Sequence, residues 1–214
     1  MNFIVIALII ANVLVSLQGF KDMSFFNKYK FNVLSIQRGE QYRLVSSGFL
    51  HVDYMHLGFN MYALYLFSNS ILYDFNSFQY LLIYGVSLVA GNYLSLLIHK
   101  LDSYYTAVGA SGAVTGIVYA SIVLHPDMKL SFLLLPIAIN AYVFGIAYLF
   151  YSIYGMKKQV GNVGHTAHLG GAVTGFVMAI VMKPSVLQLH PFKILLLAIP
   201  IGVLLVLEKK NLFQ

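Results

Sequence analysis

Three short stretches of this 214-residue chain place groups capable of acyl transfer inside apolar surroundings. Gly109-Ala110-Ser111-Gly112 presents a hydroxyl at the head of an apolar run, and Ala167-His168 presents an imidazole at the head of another. His56 and Asn60, four residues apart, stack on one face if their segment is helical. A free hydroxyl is a weak nucleophile, but a neutral imidazole beside it can take its proton. The tetrahedral intermediate then formed carries negative charge, and losing one donor aimed at it costs about 3–4 kcal/mol of barrier. The backbone N–H of Ser111 and the side chains of Asn60 and His56 are the candidate donors. No Asp or Glu lies within these runs, so a Ser–His dyad is the economical reading rather than a triad. His165 lies one turn before His168, but no third ligand at suitable spacing and no His-Glu-x-x-His run supports a metal site.

The elements that must carry these groups follow from composition. Hydrophobic residues make up 59% of the chain and charged ones 9%, against about 25% charged in an ordinary soluble domain. Too few charges remain to cover a water-soluble surface, and the abundance of apolar and aromatic residues excludes disorder. With no Cys there are no disulfides, thiol nucleophiles or thiolate metal sites. The thirteen Lys and Arg are scattered through loops, which fits anionic lipid headgroups and not nucleic acid. Apolar runs near 3–20, 54–73, 78–98, 110–125, 130–153, 166–182 and 192–207 read as seven membrane spans, the first six without a single Asp, Glu, Lys or Arg. Backbone groups in hydrocarbon must pair internally, so the spans are helices and the fold is an all-α polytopic bundle forming one membrane domain over 1–214. The first span reads as a retained helix and not a signal peptide, since no basic segment precedes it.

Spans 2, 4 and 6 run in the same direction and carry their polar residues in their first two turns. A rise of 1.5 Å per residue places those residues within roughly 10 Å of one membrane face. Spans 4 and 6 are short, about 24–26 Å, against a hydrocarbon core of about 30 Å. Gly112 and Gly116 on span 4, and Gly171 and Gly175 on span 6, form Gly-x-x-x-Gly pairs that let helix backbones approach closely. Such contact would bring Ser111 to His168. Residues 21–53 interleave Lys21, Lys28, Lys30, Arg38 and Arg43 with Phe25, Phe26, Tyr29, Phe31 and Tyr42, as a segment in the headgroup zone does. Residues 155–164 hold three glycines and read as a mobile connection. His51 reads as a hydrogen bond tying the long loop to span 2, and the tyrosines at span edges as interface anchors.

Taken together, Gly109-Ala110-Ser111-Gly112, Ala167-His168-x-x-Gly171-x-x-x-Gly175 and His51…His56-x-x-x-Asn60 resemble the rhomboid intramembrane serine proteases, over about residues 35–182. The resemblance implies a six-helix core, about 1–183, plus one additional C-terminal helix, about 192–207. It implies Ser111 as nucleophile, His168 as general base and then acid, and Asn60 and His56 with the backbone around Ser111 as the oxyanion site. Gly109 would keep the chain before the nucleophile open to substrate. Substrates would be transmembrane segments of other membrane proteins, entering laterally past residues 130–164, with no metal or organic cofactor. The family often has an aromatic four residues after the nucleophile, stacked on the base. Here that residue is Thr115, and Tyr119 lies about 80° round the helix from Ser111.

A multi-pass protein of the cell membrane is the expected setting. Two other functions fit the same polar residues: a catalytically inactive rhomboid-like binder of membrane helices, and a small-solute transporter. The lack of intramembrane carboxylates weakens the second. The family's orientation, amino terminus in the cytoplasm, leaves Lys129, Lys183 and Lys193 inside and the other ten cations outside, against the positive-inside rule.

Overall fold

Polar residues that open the helices set where each begins. Asn2 caps α1 (Phe3–Lys21) by accepting the Ile4 N–H, and Asp53 caps α5 (Tyr54–Asp74) by accepting the His56 N–H at 2.7 Å. Asn76 and Gln79 form a reciprocal capping box at the head of α6 (Ser77–Ile98). The computed structural model describes residues 2–132, 135–158 and 164–209. Among the described residues, three helices are long and apolar enough to cross a membrane by length and composition: α1, α6 and α9 (His165–Met182). Helices α7 (Ser111–Leu124) and α11 (Pro191–Lys209) contribute shorter apolar stretches. Together with α5 and α8 (Ala141–Lys158), they place a helix in each of the seven apolar windows, a polytopic helical bundle and a multi-pass membrane protein. Phe3, Ile10, Leu14, Phe59, Phe78, Val181 and Leu195 are exposed on outer faces, as lipid-facing residues are.

Helix α7 stands at the centre, with every residue from Gly112 to Leu124 buried. It packs most extensively against α9, and also against α6 and α5. Its contact with α9 is backbone on backbone. A Cβ on Gly171 would lie 2.0 Å from the Gly112 carbonyl oxygen, and one on Gly175 would lie 2.0 Å from that of Gly116. The paired glycines thus meet as their spacing predicts. Polar side chains tie the remaining helices together. Asn12 of α1 reaches the Tyr84 hydroxyl of α6 at 3.2 Å, and Ser68 of α5 meets the Tyr80 hydroxyl at 2.7 Å. At the far end of the bundle from Ser111, buried Asp74 binds Lys183 at 2.5 Å and His125 at 2.9 Å, closing the ends of α5, α7 and α9.

Two regions differ from the sequence-based expectation. Residues 130–153 were expected to form one span. Instead, β3 (Lys129–Phe132) and β4 (Leu135–Asn140) pair antiparallel, and α8 begins only at Ala141. An apolar run reads alike as strand or helix, and residues 133–134 lie outside the described residues.

Residues 21–53 are more than a loop in the headgroups. They contain α2 (Met23–Tyr29), α3 (Val33–Gln37), α4 (Arg43–Ser46) and a 3-10 turn at Ser47–Phe49. They also enclose a small core of Phe31, Val33 and Ile36. Arg43 is buried there, bonded to Glu40 at 2.6 Å and to the carbonyls of Asn27 and Lys30. Strand β1 (Phe31–Asn32) pairs with β2 (Thr106–Ala107), two residues ahead of Gly109. A four-residue helix, α10 (Val186–Leu189), leads into α11. Of the glycine-rich connection 155–164, residues 159–163 lie outside the described residues.

Candidate active site

The chain enters the site through Gly109. Its φ of +135° is a region that favours glycine, and a Cβ there would stand 2.7 Å from His56 Cε1 and 3.5 Å from Ser111 Oγ. Both backbone and space therefore demand glycine, and the same numbers bring the His56 ring and the Ser111 hydroxyl close to one point beside the Gly109 Cα. The Gly109 N–H donates to the Ser47 carbonyl at 3.0 Å, and the Ala110 N–H to His51 Nε2 at 3.4 Å. Ser111 is the first residue of α7, so its N–H belongs to the set that a helix leaves without an internal partner. A developing negative charge at that end also meets the favourable pole of the helix dipole.

His56 and Asn60 occupy one face of α5. Asn60 is buried, with one amide hydrogen donated to the His56 carbonyl at 3.0 Å and a second without a partner among the described residues. His56 Nδ1 is buried and has no hydrogen-bond partner among the described residues. The His51 ring packs edge-on against that of His56, with centroids 4.9 Å apart. His168 lies in the first turn of α9, its N–H bonded to the Gly164 carbonyl. Ser111, His168, His56, Asn60 and Gly109 all line a single cavity of about 1740 Å³. Its walls continue along α5 at Phe59 and Leu66, and along α8 at Phe144. Among the described residues no hydrogen bond joins Ser111 to His168. All five sequence-predicted residues thus converge on one space, from three helices and the loop before α7.

One neighbour escaped sequence reasoning. The Tyr148 hydroxyl of α8 stands 2.9 Å from His168 Nδ1, and the two rings lie within 24° of parallel at 6.2 Å. Its only sequence signal is a phenol in mid-span, where an interface anchor has no use. Tyr119, by contrast, is fully buried and donates to the Gly145 carbonyl of α8. His165 packs edge-on to Tyr151 at 5.4 Å. Among the described residues, no group of three or more His, Asp or Glu is placed to hold a metal.

Comparison with known proteins places this geometry in context. Residues 38–185 match the model of the Rhomboid domain. Over 191 residues the chain is 29% identical to RHOMBOID-like protein 12, mitochondrial, of Arabidopsis thaliana, covering 81% of this chain and 56% of that protein. It is 31% identical over 144 residues to Rhomboid protease GluP of Bacillus subtilis, 67% of this chain and 26% of that protein. It is 29% identical over 148 residues to Putative rhomboid protease YdcA of the same bacterium, 68% of this chain and 69% of that protein. The chain therefore spans about half the length of the Arabidopsis relative. Mitochondrial as well as bacterial proteins match, so the likeness supports an integral membrane protein but not the cell membrane in particular.

Proposed function

The chain belongs to the rhomboid family, and from that premise we propose that it is an intramembrane serine endopeptidase that cleaves transmembrane segments of other membrane proteins. The observation that carries this reading is the sharing of one cavity by Ser111 and His168, on two helices whose glycine backbones touch. Ser111 Oγ attacks the scissile carbonyl carbon while its proton passes to His168 Nε2. The oxyanion is held by the Ser111 N–H with the side chains of His56 and Asn60. His168 then gives the proton to the leaving amine as the C–N bond breaks, and a water activated by the same imidazole hydrolyses the acyl-enzyme. Gly109 keeps the approach to the carbonyl clear. The substrate must be locally unwound, because a helix keeps its carbonyls bonded. In this reading the six-helix core ends near residue 183 and α11 is an addition to it.

The reading is tested with purified protein in liposomes and a model single-span substrate. Cleavage is expected to fall at least ~10³-fold in Ser111→Ala and in His168→Ala. A fluorophosphonate probe should label wild type and not Ser111→Ala. Cleavage that survives both substitutions removes the dyad. A wild-type protein that binds the substrate helix without cutting it or taking the probe is the inactive binder instead.

A further inference from the structure

A histidine works as a base through one ring nitrogen only while the other holds the proton. In the dyad above, Nε2 must be free for Ser111, so His168 carries its proton on Nδ1. A buried N–H of this kind needs an acceptor. Protein bases commonly find one in a carboxylate, and the apolar spans contain none beside His168. Helix α7 supplies no aromatic at the position four residues beyond Ser111, where Thr115 stands.

Tyr148 supplies the acceptor from a different helix. Its oxygen is 2.9 Å from Nδ1, and its ring lies nearly parallel to the imidazole. Thr115 and Ser152 flank the same phenol. Ser152, one turn further along α8, is fully buried, and its Oγ makes no hydrogen bond among the described residues. The phenol hydrogen therefore has an oxygen to turn toward, leaving a lone pair for Nδ1–H. The reverse arrangement, with Tyr148 donating to Nδ1, would put the proton on Nε2 and disable the base.

We propose that Tyr148 is the positioning residue of the base. Its phenol oxygen accepts the Nδ1 proton of His168 and fixes the tautomer whose Nε2 serves Ser111. The small, buried Thr115 is what leaves room for this phenol. Because the partner of the base rides on α8, a wall of the cavity, displacement of that helix also disturbs the base. The inference rests on the protease reading of the same site.

The test reads the ring directly. In liposomes, protein with 15N-labelled histidine should show His168, assigned by its loss in His168→Gln, with a protonated Nδ1 and a bare Nε2 at neutral pH. Tyr148→Phe keeps the ring and removes the oxygen, and should move His168 toward the Nε2-protonated form. An unchanged spectrum in that variant overturns the proposal, and this readout needs no substrate. In turnover, Tyr148→Phe should lower kcat between about 10- and 100-fold with KM within about twofold, the range seen when a supporting partner is lost. Tyr154→Phe, an exposed position on α8, should leave it unchanged. Full kcat in Tyr148→Phe also overturns the proposal. A wild-type protein that does not cleave refutes the protease reading alone, and the spectrum still decides Tyr148.

Discussion

Ser16 Oγ lies 2.8 Å from His51 Nδ1, while the other ring nitrogen accepts the Ala110 N–H, so one imidazole joins α1 to the residue just ahead of Ser111. Ser16 spends its own hydrogen on the Phe49 carbonyl, which leaves its oxygen to accept from Nδ1. The ring must then be neutral. Burial, with His56 as neighbour, holds His51 down at about 3.

That arrangement makes stability depend on pH. An unfolded histidine takes up its proton near 6.5, so between about 6.5 and 3 the unfolded chain binds the additional proton. Stability present above that window is lost as pH falls through it. The melting temperature in detergent should decline from pH 7 to 4.5, and the decline should be shallower in His51→Asn. Parallel curves for the two proteins would show that His51 does not carry the effect.

Gly109→Ala should cost at least ~100-fold in kcat. It forces a side chain into the left-handed region, worth roughly 1–3 kcal/mol, and drives a methyl against the His56 ring. Fluorophosphonate labelling of Ser111 should slow in proportion. Labelling at the wild-type rate would mean that His56 yields without consequence.

Two glycine-to-alanine changes should have opposite signs. In Gly175→Ala the methyl meets the Gly116 carbonyl oxygen, which backbone movement alone can relieve, and a loss of about 1–3 kcal/mol is expected. In Gly58→Ala the methyl enters open space on α5, and a gain of up to about 1 kcal/mol is expected from helix propensity. Unfolding midpoints measured side by side decide this. Equal effects would dissolve the argument from close approach.

Topology can be read with single cysteines, since the chain has none of its own. Lys28→Cys and Lys157→Cys should react with a membrane-impermeant maleimide from one side, and Asp127→Cys from the other. Lys28→Cys and Asp127→Cys labelling together would break the common direction of α5, α7 and α9. The buried, carboxylate-paired Arg43 also removes one of the ten cations from the outward count, because its charge never reaches a headgroup.

Much of the site was legible because hydrocarbon makes polar residues conspicuous. Ser111, His168, His56 and Asn60 stand out from apolar windows, and the glycine spacing announced which helices touch. What stayed hidden was hidden for physical reasons. Leu135–Asn140 is apolar and contains Ile137 and Ile139, a pattern that fits a strand as well as a span. Phe31 sits among lysines and reads as a headgroup contact, yet with Val33 and Ile36 it closes on Leu44, Leu96 and Tyr105 from elsewhere in the chain. Tyr148 is twenty residues from His168 on a different helix, and no local spacing records that meeting.

If the chain is the protease proposed above, the length of α7 constrains what it can cut. Its fourteen residues rise about 21 Å, some 9 Å less than the hydrocarbon is thick. If the shortfall lies on the side where Ser111 begins the helix, a visiting chain must descend that distance before its carbonyl arrives. At about 3.3 Å per extended residue the descent takes roughly three residues, nearly a full helical turn surrendered before any bond is broken. A segment too stable to give up that turn is protected by its own rigidity, whatever side chains it carries.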